Sequence, residues 1–235
     1  MTEGEWKVCT DLWKMLGFLR GKASDRKRRL FSCAGCRLSW NYLREGGRGA
    51  VEASERFADG LASLDELRMA GEGIGFELIE GIGGSNWVAM AALHATSERE
   101  PENAWTHGLP RPHLPEEAGV WSVYGVAVQS RTEYKAVHEA THRQLVRDIF
   151  GNPFRPVTIS STVLTWHDAT VVRLAQTAYE ERHMPEGTLD NARLAVLADA
   201  LEEAGCQDQD VLGHCRSGGE HVKGCWVVDL LLGKT

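Results

Sequence analysis

Helix-start and helix-stop signals recur along most of this chain. The apolar residues between them repeat every three to four positions, a pattern that commits the backbone to packed helices. Thr2 with Glu5 reads as a capping box, in which each side chain satisfies the other residue's free backbone amide. Thr10 is placed to cap a helix carrying Leu12, Leu16 and Leu19 and stopped by Gly21. Ser24 opens a helix through Leu30, Phe31, Ala34, Leu38 and Trp40 that closes at Glu45-Gly46-Gly47. Ala50, Val51, Phe57, Ala58 and Leu61 mark the next, and Ser63 with Glu66 caps a short one holding Leu67 and Met69.

The glycine-rich stretch 71–84 fits no phosphate-loop pattern and reads as a loop, with a helix following at 87–93. Residues 98–117 hold four of the seven prolines and read as a linker. The expected organisation is an N-terminal helical segment at 1–97, this linker, and a C-terminal helical module at 118–235. The β-branched run 120–128 is a strand candidate without a visible partner. A helix is expected over 132–150, stopped by Gly151 and Pro153, then one with Thr165 and Asp168 as its capping box. Asp190 caps the next, ended by Gly205; a short helix over 208–215 and the apolar run 225–233 complete the chain. The fold class is therefore mainly α, a packed bundle or set of hairpins with little or no sheet.

Hydrophobic residues make up 43% and charged residues 25% of the chain, ordinary values for a globular core. No run approaches the eighteen apolar residues of a membrane span. The N-terminus carries acids and lacks an apolar signal region, so the six cysteines are expected to be reduced thiols or ligands in the cytoplasm. The net charge of −7 hides an asymmetry: residues 1–50 hold eleven Lys or Arg against five Asp or Glu. A basic head on an acidic body admits an anionic partner, although nucleic acid is not the expected one.

Cysteine and histidine cluster in the last thirty residues. Cys206, His214, His221 and Cys225 form the candidate metal set, with Cys215 as a spare. Thiolates and imidazoles suit zinc, and four of them close a tetrahedral structural site. The competing reading makes the cysteines core residues and the histidines helix caps. Cys33-Ala-Gly-Cys36 is a CxxC that falls in mid-helix on the stripe of Trp40 and Leu43, where packing is expected rather than redox chemistry. His138-Glu139-Ala140-Thr141-His142 matches the HExxH helix of zinc proteases, with Glu180 or Glu181 as the available third ligand. Arg143 and the apolar seam through Leu145 and Ile149 argue against a working site there.

The segments LVRDIFGNPFRPV (145–157), LTWHDATVVRLAQTAYEER (164–182), LAVLADALEEAGC (194–206) and HVKGCWVVDLLLGK (221–234) resemble an expanded family of planctomycete-type bacterial proteins. The head MLGFLRGKASDRKRRLFSCAGCR (15–37) resembles that family's opening, with Gly35 where the family often has a third cysteine. The middle, 46–135, diverges. The helix RLAVLADALEEAG is also similar to a short domain that accompanies repeats in such bacteria. The resemblance implies packed helices and an intracellular bacterial origin, and it carries no reaction. The expected role is a non-enzymatic interaction or scaffold protein, with a structural zinc as its cofactor and a protein as its partner. A zinc hydrolase at HExxH and a nucleic-acid binder at the basic head stay open as alternatives.

Overall fold

A computed structural model describes residues 1–79 and 132–234. Among the described residues ten α-helices run in chain order: α1 (Glu3–Val8), α2 (Leu12–Leu19), α3 (Asp25–Leu38), α4 (Glu45–Ala58), α5 (Leu64–Ile79), α6 (Thr132–Phe150), α7 (Ser161–Glu180), α8 (Asn191–Glu203), α9 (Gln209–Cys215) and α10 (Trp226–Leu232). Among the described residues there is no strand, only isolated bridges from Thr188 to His183 and to Val222. The protein is mainly α. None of the described helices is long and apolar enough to cross a membrane. The expected helix at 87–93, the linker at 98–117 and the strand at 120–128 lie outside the described residues.

The chain divides into two compact units, one of Met1–Cys9 with Gln144–Thr235 and one of Thr10–Arg143. This differs from the expected organisation, because the first nine residues fold with the C-terminal part. Trp6 is buried and its indole Nε1 donates to the Gly151 carbonyl at 3.2 Å. The Arg147 guanidinium donates to the carbonyls of Trp6, Lys7 and Cys9 at the C-terminal end of α1, where helix carbonyls need partners from outside the helix. Asn152 adds a bond to Glu3 at 2.9 Å. An aromatic anchor and a cation on the helix end outweigh sequence proximity to α2.

In the Thr10–Arg143 unit, α4 packs on α3 and α5. Asp11, not Thr10, caps α2. Ser24 and Ser63 cap as expected, the latter with a reciprocal bond from Glu66. Gly46 and Gly47 do not end α3; they lie in the first turn of α4, and α3 gives way to a short 3-10 turn at Trp40–Tyr42. A Cβ on Gly47 would fall 2.9 Å from the Leu43 side chain, so glycine there permits close packing at the helix entry. Helix α5 continues through Gly71, Gly73 and Gly75 to Ile79, past the expected loop boundary. Each glycine costs about 1 kcal/mol against alanine, which weakens a helix without stopping it.

The other unit has one core, formed by α7, α8, α9 and α10 around Val171, Ala175, Leu194, Leu197, Leu201, Val211 and Val228. Ser160, Asp190 and Asp208 cap α7, α8 and α9 with their side-chain oxygens. Helix α7 is interrupted: Trp166 is extended, and His167, Asp168 and Ala169 take left-handed φ of 44°, 56° and 58°. The expected capping box does not form, and Thr165 instead donates to the Ser161 carbonyl. Each non-glycine residue in that conformation costs about 1–2 kcal/mol. Ala169→Gly is therefore expected to raise stability by about 1 kcal/mol, read as a higher denaturant midpoint. A lower midpoint would show that the turn carries no such strain.

Candidate metal centre

Helix α6 ends by presenting Leu145, Val146 and Ile149 to the interior, and Asp148 falls on that same buried side. A carboxylate in such a place must be hydrogen-bonded or liganded. Its partners come from the far end of the chain. Helix α9 is capped at Asp208 and carries His214 in its last turn. After Arg216 the backbone turns through Ser217–Gly224 and enters α10 at Cys225, its N-cap residue. Leu189 donates to the His221 carbonyl at 2.8 Å and Asn191 to the Gly219 carbonyl at 3.2 Å, which pins this loop against the start of α8.

The result is a convergence of four ligand atoms. Asp148 Oδ1 lies 2.7 Å from His221 Nδ1 and 3.0 Å from His214 Nε2. Cys225 Sγ lies 3.2 Å from the same His214 nitrogen and 3.9 Å from His221 Nδ1. All four atoms fall within 4.8 Å of one another. Zinc bond lengths of 2.0–2.3 Å give tetrahedron edges of about 3.3–3.6 Å, the middle of the observed range. Asp148, His221 and Cys225 are buried and His214 is 17% exposed at the rim.

Outer contacts hold these four side chains in place. Asp148 Oδ2 accepts from the Val222 amide at 2.9 Å, and His221 Nε2 meets Ser217 Oγ at 3.0 Å. The His214 ring packs against Trp226, centroids 5.2 Å apart. Trp226 in turn rests on Gly151, where a Cβ would come within 3.0 Å of the indole. The positive φ and that contact together explain glycine at this position.

Of the expected set, His214, His221 and Cys225 meet, and Cys206 does not join them. Cys206 follows the left-handed Gly205 at the end of α8 and belongs to the apolar core cluster. Asp148 takes the fourth position. Cys215 is also buried in the core, and burial followed by the nearby Asp148 charge pushes its thiol up to about 12. Cys225 is pushed well above the ordinary thiol value, first by burial and then by Asp148, while the Val228 and Val227 amides act in the opposite direction. Without a cation Cys225 is a neutral thiol, and a metal must displace its proton to bind it.

Burial acts to raise the Asp148 pKa, but hydrogen bonds and charge from His214 and His221 outweigh it and hold the group at about 2. A carboxylate depressed from 3.8 stabilises the fold above that pH and loses this contribution as pH falls toward 2. The metal-free protein is expected to lose about 2 kcal/mol across that acid window. Acid titration followed by circular dichroism checks this. An Asp148→Asn profile as steep as the parent's would contradict it.

The other candidates separate from this centre. Cys33 and Cys36 are buried on α3, and burial pushes Cys33 far up and Cys36 to about 12. Cys33 approaches the Val51 carbonyl at 3.8 Å, so both are thiols of the core. In HExxH, the helix is present as α6, and the side chain of His138 lies outside the described residues. His142 is fully buried and meets Phe31 edge-on, centroids 6.1 Å apart. Glu180 is bonded to Gln176, and Glu181 is paired with Arg193. In the basic run of α3, Arg26 pairs with Asp59, Arg28 with Asp25, and Arg29 lies over the Phe57 ring.

Ser217, His221 and Asp148 also stand in the order of a hydrolytic triad. His221 holds Asp148 on Nδ1 and Ser217 on Nε2, opposite ring nitrogens as a relay needs. What sets the cluster apart is a second imidazole, His214, on the same carboxylate oxygen and beside Cys225, which a relay does not use and a four-ligand metal set would. No protein-family model, curated protein or solved structure matches this chain.

Proposed function

We propose that this chain is a non-enzymatic interaction or scaffold protein whose C-terminal unit is tied together by one zinc ion. The observation that carries the reading is the convergence of Asp148, His214, His221 and Cys225 from three separate stretches of chain. One thiolate, two imidazoles and one carboxylate suit zinc, whereas magnesium and calcium take oxygen ligands. Four protein ligands fill a tetrahedron and leave no vertex for a substrate or a reactive water, which favours a structural over a catalytic ion. The buried Cys225 thiol is likewise no nucleophile.

The zinc-hydrolase alternative at His138, Glu139 and His142 would need an open cleft, and the burial of His142 weighs against one. The nucleic-acid alternative would need cations free to meet phosphates, and Arg26, Arg28 and Arg29 already have intramolecular partners. The resemblance to planctomycete-type bacterial proteins supports membership of that family and an intracellular setting. Elemental analysis of protein purified without a histidine tag tests the central point. One zinc per chain, absent from His221→Ala, is the expected result. Metal-free wild-type protein that fails to take up added zinc would refute the reading.

A further inference from the structure

We infer that α1 is an arm latched to the C-terminal unit by the metal centre, so that gain or loss of the ion is read at the N-terminus as α1 held or released. This rests on the metal reading above. Helix α1 spans six residues and is too short to persist alone in water. The buried Trp6 indole donates to the Gly151 carbonyl, Arg147 holds the carbonyls of Trp6, Lys7 and Cys9, and Asn152 bonds to Glu3. Arg147, Gly151 and Asn152 all lie at the end of α6. Trp6 is not part of the core cluster formed by α7 to α10, so α1 can leave without opening that core.

The same short stretch is tied to the metal set along two routes. Asp148 follows Arg147 in the chain, so an ion held by its carboxylate fixes the last turn of α6 and the base of the guanidinium side chain with it. The Gly151 amide donates to the Arg147 carbonyl at 3.0 Å, which carries that constraint to the residue whose carbonyl Trp6 uses. On the second route the His214 ring packs on Trp226, centroids 5.2 Å apart, and the Trp226 indole lies against the bare Cα of Gly151. An ion that fixes the His214 ring therefore fixes the floor under Gly151. With no Cβ between them, a shift of the indole is passed to the backbone that receives Trp6.

The ion and the docked arm each order the end of α6, so either one lowers the ordering entropy that the other must overcome. The coupling is reciprocal: the factor by which zinc favours docking is the factor by which docking tightens zinc. The first nine residues are all that this unit takes from the first 143, so the latch acts on a bounded segment.

The test uses full-length untagged protein at one fixed pH, with added zinc or with a chelator. Hydrogen exchange of the Trp6 indole N–H is followed in proton–nitrogen spectra, its signal assigned by Trp6→Phe. Zinc affinity of the wild type and of Trp6→Ala is measured by competition with a chromophoric chelator. Zinc is expected to slow the indole exchange by on the order of tenfold, and Trp6→Ala to weaken zinc binding by that same factor. A tryptophan that only fills space would give no such shared factor. Glu3→Ala removes the Asn152 bond and is expected to speed the exchange and weaken zinc together by a smaller factor. It carries the test if Trp6→Ala does not fold, which melting of the metal-free variants shows. Indole exchange that zinc leaves unchanged, or a variant with a loosened arm that binds zinc as tightly as wild type, overturns the latch and leaves the metal site standing. Failure of the wild-type protein to bind zinc overturns both.

Discussion

Asp148→Ala is expected to destabilise the zinc-loaded protein by on the order of 4 kcal/mol or more, lowering the melting temperature by more than about 10 °C. Two effects combine. The variant lacks a ligand, so the stabilisation supplied by zinc binding only the folded state falls with the affinity. It also strands the Val222 amide and the two imidazole nitrogens that Asp148 accepts from, each buried or half-buried. An unpaired buried donor costs about 1–3 kcal/mol. The same variant should no longer gain stability from added zinc, while the parent should. Calorimetry with and without a chelator separates the two contributions. A variant melting within about 2 °C of the parent and still responding to zinc would show that Asp148 is neither ligand nor organiser.

The second large effect lies in the other unit. Arg37 Nε and Nη2 donate to Glu55 Oε1 and Oε2 at 2.6 and 3.0 Å, a bidentate pair with both side chains buried. The Arg37 guanidinium also lies 4.7 Å from the Trp40 ring centroid. Removing one partner leaves an uncompensated buried charge, so Glu55→Leu is expected to cost about 3–5 kcal/mol. The double variant Arg37→Met with Glu55→Leu removes both charges and should recover most of that loss. Denaturant unfolding of the four proteins in this cycle gives the coupling directly. Additive losses, with the double variant worst, would mean that the pair is solvated enough to be replaced one charge at a time.

The helices were legible because their signals are local. Ser24, Ser63, Asp190 and Asp208 cap where a short oxygen-bearing side chain precedes an apolar period, and Gly205 and Gly233 end helices in left-handed conformation. Glycine was misleading where packing decided its use. Gly47 admits Leu43 at the entry of α4 rather than ending α3, and Gly71 is absorbed into α5. The left-handed turn at His167–Ala169 carries no glycine, so nothing in the local sequence marks it.

Three of the four site residues were visible as a cluster because His214, His221 and Cys225 lie within twelve residues of one another. Asp148 was hidden by distance, 66 residues before His214. It did leave one signal. An aspartate between Leu145 and Ile149 falls on the apolar side of its own helix, where a charge is costly unless partnered. Cys206 misled for the opposite reason, since its position just after a helix end suits a ligand and a small core residue equally well.

The most direct measurement is the zinc X-ray absorption spectrum of the untagged protein. One sulfur at about 2.3 Å and three nitrogen or oxygen neighbours at about 2.0–2.1 Å are expected, from Cys225 with His214, His221 and Asp148. A spectrum with two sulfurs would return Cys206 or Cys215 to the site in place of Asp148, and a fully oxygen-bound or absent zinc would contradict the metal centre itself.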